Sequence, residues 1–194
     1  MTVYVNGQWL AADAPGVPAG DRGVMLGDGL FETLAVRSGA IRRVPAHLVR
    51  LRDSARALEI GLALDDAALT DILAEAVARN GVADGMVRLT ITRGAAQSGL
   101  APMGEALPTV IVTATARPPQ VAPVRAVISR VTRRNEHSPL ALLKTTNYLD
   151  NILAAGEARE RGADEAVLLN TAGRLAEATI ANLFVVIDGR LGPP

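Results

Sequence analysis

The sequence predicts an α+β fold in two domains, and three observations carry that expectation. Its segments run in the order βββαα-ββ, then a linker, then βαββ, which groups helices beside strands instead of alternating them strictly. Both helices of the first half show a clear apolar stripe and end at a glycine. Between the halves, Ala116-Arg117-Pro118-Pro119-Gln120-Val121-Ala122-Pro123 places three prolines in eight residues, which favours an extended connection. The expected division is residues 1–117, a linker at 118–123 and a second domain at 124–194.

The elements follow in order. Val3, Val5 and Trp9 flank Asn6-Gly7, a strong short-turn signal, so the chain opens as a hairpin. A loop rich in Gly, Pro and Asp runs from Asp13 to Gly29. Leu30–Arg37 and Ala40–Val44 read as strands joined at Ser38-Gly39. Pro45–Ile60 reads as a helix, with Leu48, Leu51, Ala55 and Leu58 on one face and Gly61 as its stop. A second helix spans Asp66–Asn80, its stripe formed by Leu69, Ile72, Leu73, Ala76 and Val77. Met86–Arg93 and Thr109–Thr115 are β-rich. Beyond the linker, Arg125–Thr132 reads as a strand, Arg133–Leu143 as a loop, and Thr146–Arg161 as a helix with Tyr148, Ile152 and Ala155 aligned. Glu165–Asn170 and Asn182–Ile187 close the series as strands around the turn Thr171-Ala172-Gly173.

Composition narrows the function. The 194 residues are 49% hydrophobic and 21% charged, which suits a globular protein with a proper core. Zero formal net charge argues against a broad nucleic-acid surface. Cysteine is absent and only His47 and His137 are present, so neither a thiolate nor a histidine-rich metal centre is expected. The start of the chain does not read as a signal peptide, and no apolar run is long enough to span a membrane. A cytoplasmic location is the expectation.

Among 20 basic residues, Lys144 is the single lysine, set in Leu140-Ala141-Leu142-Leu143-Lys144. Arginine replaces lysine where only positive charge is needed, but not where a deprotonatable amine must act, because guanidinium stays charged. An amine attacks a carbonyl only when neutral, and an apolar pocket favours that form; leucines 140, 142 and 143 are the expected walls. A snorkelling lysine gives the same local pattern. A second group is Leu175-Ala176-Glu177-Ala178-Thr179-Ile180-Ala181-Asn182-Leu183-Phe184, where one carboxylate stands among small residues before a strand. Glu177 suits a cationic ring nitrogen, and the small residues after it let backbone N–H groups approach an anion. A surface glutamate at a turn would look alike.

Lys144-Thr145-Thr146-Asn147-Tyr148-Leu149, Gly162-Ala163-Asp164-Glu165-Ala166, and Ala176-Glu177-Ala178-Thr179 with Asn182-Leu183-Phe184 together resemble the class IV, or fold type IV, pyridoxal-phosphate enzymes. That family holds branched-chain and D-amino-acid aminotransferases and aminodeoxychorismate lyase. In the first half, Asp21-Arg22-Gly23, Gly27-Asp28-Gly29-Leu30-Phe31-Glu32-Thr33 and His47-Leu48-Val49-Arg50-Leu51 fit as well, so the likeness covers essentially the whole chain. It implies pyridoxal 5'-phosphate as cofactor, a small N-terminal sandwich-like α/β domain, and a C-terminal pseudo-barrel domain. In this chain the second sheet lacks its closing strands, and a missing segment is expected.

The resemblance assigns roles. Lys144 matches the Schiff-base lysine and proton shuttle, Glu177 the carboxylate facing the pyridine nitrogen, and Arg50 the phosphate-binding arginine. Tyr148 fits the aromatic position near the phenolic oxygen, and Thr179 and Ile180 lie where groups meet the phosphate or ring. His47 is expected to pack or cap, and Arg52 and Arg56 to sit on a solvated helix face. Gly27-Asp28-Gly29 lacks the phosphate-loop patterns and reads as a tight turn. At the positions of the D-type carboxylate trap stand Phe31, Ser98 and Leu100, so that trap is absent; Phe31 is expected to wall the substrate side. Arg88 is similar to the strand arginine of branched-chain enzymes and is the candidate for the substrate carboxylate, although Met86 stands where an aromatic is usual. The implied reaction is amino transfer between an amino acid and a 2-oxo acid, with aminodeoxychorismate lyase as the alternative and a non-catalytic relative as a lesser one. The resemblance also implies a homodimer.

Overall fold

Asn6 and Gly7 both take left-handed backbone, with φ of 45° and 89°. That geometry matches the twist of a two-residue hairpin, and it turns β1 (Thr2–Val5) onto β2 (Gln8–Ala11). The computed structural model describes residues 1–14, 16–95, 99–101, 106–117 and 122–193. They fall into two units: Met1–Gln120 with Leu143–Thr146, and Val121–Leu142 with Asn147–Pro194. Leu143–Thr146 therefore group with the first unit, although the sequence reading ran the second domain unbroken from residue 124. Of the expected linker, residues 118–121 lie outside the described residues.

The first unit is built on an antiparallel sheet of order β2-β1-β6-β5-β3-β4, where β3 is Gly29–Arg37, β4 Ala40–Ile41, β5 Gly85–Thr92 and β6 Thr109–Ala116. Alternate residues Leu30, Leu34 and Val36 of β3 and Val87, Leu89 and Ile91 of β5 are fully buried on one face. Helices α2 (Val44–Ala57) and α3 (Asp66–Arg79) contribute Leu48, Leu51, Leu69, Leu73, Ala76 and Val77 to the same core. Val44 opens α2 instead of extending the hairpin: Arg43 takes left-handed backbone (φ 57°) and Pro45 sits in the first helical turn, where its missing N–H costs nothing. Asp65 caps α3 through its side chain and the N–H of Ala68. A short helix, α1 (Arg22–Leu26), lies inside the stretch expected to be loop. Asp21 caps it, and Gly27 ends it with φ 68°.

In the second unit, β7 (Ala126–Ile128) and β8 (Glu165–Leu169) pair in parallel, with α4 (Leu149–Glu160) between them in sequence, and β9 (Leu175–Ala178) adds antiparallel to β8. This three-stranded sheet is open, and β10 (Val185–Ile187) and β11 (Arg190–Gly192) form a separate hairpin. The strand expected over Arg125–Thr132 stops at Ile128, because Glu157 of α4 takes the Ser129 hydroxyl and the Arg130 N–H. The buried stripe of α4 is Asn151, Ala154 and Ala158, not the expected Tyr148, Ile152 and Ala155. Alanines at i and i+4 let the helix lie directly on Ala166 and Leu168 of β8, which leaves Ile152 exposed and Tyr148 at the helix N-cap.

Candidate active site

Lys144 owes its place to backbone pairing. The Phe31 N–H donates to the Lys144 carbonyl at 2.9 Å, Leu30 bridges Thr145, and the Thr146 N–H donates to the Gly29 carbonyl at 2.9 Å. The Thr146 hydroxyl adds a bond to the Gly27 carbonyl at 2.7 Å. Residues 144–146 thus run along the start of β3. The Gly27-Asp28-Gly29 turn is the tight turn that the sequence indicated, and it is braced: Asp28 accepts from Arg22 and Arg93, each at 2.8 Å. Burial would raise the Asp28 carboxyl, but hydrogen bonds and charge from Arg93 and Arg22 more than offset this and hold it below the ordinary range. A side chain at Gly29 would meet the Ile91 carbonyl at 2.8 Å, so the turn admits only glycine there.

Phe31 points to the sheet face opposite the helices, as its parity with Leu30 requires. The Arg88 guanidinium stands 3.6 Å from the ring centroid and the Lys144 ammonium 4.6 Å. Two cations thus share one aromatic ring, and Arg88 is steadied by a bond from Nε to the Thr90 hydroxyl at 3.1 Å. Of the leucines expected around the amine, Leu140 and Leu142 are exposed and Leu143 is half-buried, and the aromatic neighbour is Phe31.

On the helix side of β3, Glu32 is 1% exposed beneath α2. Arg50 grips it with two bonds, Nε to Oε1 at 2.6 Å and Nη2 to Oε2 at 2.5 Å, and His47 Nδ1 lies 2.7 Å from Oε2. His47 and Arg50 are one helical turn apart, which lets both reach one carboxylate. Half of the Arg50 side chain stays exposed. The sequence reading passed over Glu32 as a site residue. Its signal was a single charge at an inward position of Leu30-Phe31-Glu32-Thr33-Leu34.

The second unit carries Glu177 on β9, with Ala176, Leu175, Arg134, Ala141 and Asn170 around a cavity of about 290 Å³. Glu177 Oε1 is buried and accepts no hydrogen bond; Arg134 Nε stands 3.4 Å from it as a loose ion pair. A buried acceptor held only by a loose ion pair has room for a closer donor, and a protonated heterocycle nitrogen is such a group, so this site fits the pyridine ring. Thr179 is buried and bonded to Glu165, whereas Ile180 is exposed. Ser98 lies outside the described residues, and Leu100 is exposed. Among the described residues no group of His, Cys, Asp and Glu is arranged to hold a metal ion, and no helix is long and apolar enough to cross a membrane.

Comparison with known proteins identifies the family. The amino-transferase class IV family model matches residues 29–194. The putative branched-chain-amino-acid aminotransferase of Methanocaldococcus jannaschii is 33% identical over 196 residues, covering 100% of this chain and 68% of that protein. The crystal structure of branched-chain aminotransferase from the thermophilic archaeon Thermoproteus uzoniensis has a TM-score of 0.89 at 28% identity, covering 100% of this chain and 68% of that one. That of 4-amino-4-deoxychorismate lyase from Pseudomonas aeruginosa has a TM-score of 0.80 at 37% identity, covering 97% and 68%. The chain thus spans about two thirds of the length of each of these relatives. It belongs to the amino-transferase class IV family, the fold-type IV pyridoxal-phosphate-dependent aminotransferases and lyases.

Proposed function

We propose that this chain is an aminotransferase that moves an amino group between an amino acid and a 2-oxo acid, working as a homodimer. The observation that carries it is the shared Phe31 ring, which has the Arg88 guanidinium and the only lysine amine beside it. Pyridoxal phosphate, when bound, supplies the carbonyl for that amine and a ring that takes up the electron pair released at the substrate's α carbon. Lys144 Nζ would hold the cofactor and would take and return the proton at the substrate's α carbon. Glu177 Oε1 would accept the ring N–H and favour the protonated form of that nitrogen. Arg50, fixed by Glu32, offers a guanidinium to the phosphate. Tyr148 serves the phenolic oxygen, and Ile180 borders the ring. Phe31 walls the substrate side while Arg88 takes its carboxylate.

The lyase reading is supported by the 37% identity to the Pseudomonas aeruginosa lyase. Incubation of the chain and cofactor with amino acid plus 2-oxoglutarate, and separately with aminodeoxychorismate, separates the two. Glutamate formation supports the first reading. Release of 4-aminobenzoate and pyruvate without glutamate formation overturns it.

A further inference from the structure

We propose that Glu165, acting through Thr179, is a positioning residue for Glu177, and that Thr179 serves this purpose instead of donating to the cofactor phosphate. The inference rests on the function proposed above and assigns work to two residues of the same site. Glu165 opens β8, and its Oε1 accepts from the Ala166 N–H at 2.8 Å, from the Thr179 N–H at 3.2 Å, and from the Thr179 hydroxyl in a short bond. The Thr179 N–H is also directed at the Ala166 carbonyl, 3.2 Å away. From α4, Asn151 Nδ2 donates to the Thr179 carbonyl at 3.0 Å. Thr179 itself is 4% exposed.

A threonine hydroxyl carries one proton. Here that proton goes to Glu165, and the backbone N–H goes the same way, so both donors of Thr179 are committed within the unit. Phosphate oxygens only accept, and a carboxylate at that spot repels an anion. What the network does instead is fix the end of β9. Glu177 pairs with Leu168 and Ala178 with Val167, a bulge follows Leu168, and Thr179 is the next residue along the chain from Ala178. With that end pinned by β8 and α4, the Glu177 carboxylate keeps one buried oxygen without a hydrogen bond while Arg134 stays at 3.4 Å. An unpinned strand end would let that carboxylate close on Arg134 and lose its aim.

The test compares cofactor binding by the chain, followed by absorbance, for pyridoxal 5'-phosphate and for pyridoxal without the phosphate. Thr179→Val deletes the hydroxyl at nearly constant shape, and Thr179→Ser retains it. Thr179→Val is expected to weaken both compounds equally, by about fivefold for one lost hydrogen bond, and to shift the bound absorbance band in the direction that Glu177→Gln does. Thr179→Ser restores wild-type values, and the unfolding temperature of each cofactor-free variant is recorded alongside. If Thr179→Val does not fold, Glu165→Gln carries the same comparison. A loss confined to the phosphorylated compound, or no loss for either, overturns the inference. A wild-type chain that binds neither compound overturns the proposed function itself, a result distinct from both.

Discussion

Replacing Glu32 by glutamine probes the charge cluster under α2. The side chain keeps its size and one acceptor oxygen, but Arg50 and His47 lose the charge they converge on. Breaking a wholly buried pair costs about 3–5 kcal/mol. Arg50 is half exposed, so water recovers part of that loss, and hydrogen bonds to a charged group are worth about 1.5–3 kcal/mol. The expected destabilisation is about 2 kcal/mol, which lowers the melting temperature of a unit this size by about 5–10 °C. Urea and thermal unfolding followed by circular dichroism measure it. A cycle with Arg50→Met isolates the pair, and a coupling of about 1–2 kcal/mol is expected. A Glu32→Gln protein that melts with the wild type, or changes that simply add, refutes the assignment of Glu32 as the anchor of Arg50.

Gly94→Ala is expected to destabilise by about 2–3 kcal/mol, because φ is 88° and a Cβ would stand 1.8 Å from the Leu107 carbonyl oxygen; Gly61→Ala, with open space around it, is expected to be neutral or slightly stabilising in the same urea titration. Ala158→Leu on the buried side of α4 is expected to cost about 1–3 kcal/mol, whereas Ile152→Ala on the exposed side is expected to stay within about 0.5 kcal/mol of wild type; the reverse order would restore the helix face that the sequence suggested. The Arg130 N–H, the Ser129 hydroxyl and Arg161 hold the Glu157 carboxyl down to about 2 against an ordinary 4.5. Its contribution is therefore present above pH 4.5 and lost as pH falls toward about 2, so the wild-type urea midpoint should drop more steeply across that window than that of Glu157→Gln.

Local chemistry made much of the fold legible. The Asn6-Gly7 hairpin and the stripes of α2 and α3 are written in nearby residues, and the structure places them within three residues. The face of α4 was hidden because its contact is made by alanines, which carry little apolar signal beside Ile152 and Leu153. Strand β9 was missed because four residues with a central glutamate do not alternate convincingly. The singular lysine marked Lys144, yet its surroundings were misjudged. The leucines before it are sequence neighbours, while Phe31 reaches it through a strand pairing that no local pattern announces. Glu32, Asp28 and Glu165 went unassigned for the same reason: their partners lie on other elements.

Everything claimed for the site depends on one amine joining a bound aldehyde. Besides the terminal amino group, Lys144 is the only amine in the chain, so the label has one informative place to go. The chain is incubated with pyridoxal 5'-phosphate, reduced with borohydride, digested and analysed by mass spectrometry. Reduced cofactor on the peptide carrying Lys144, and none on the same peptide of Lys144→Ala, is the predicted result; label confined to Met1, or absent, contradicts the account.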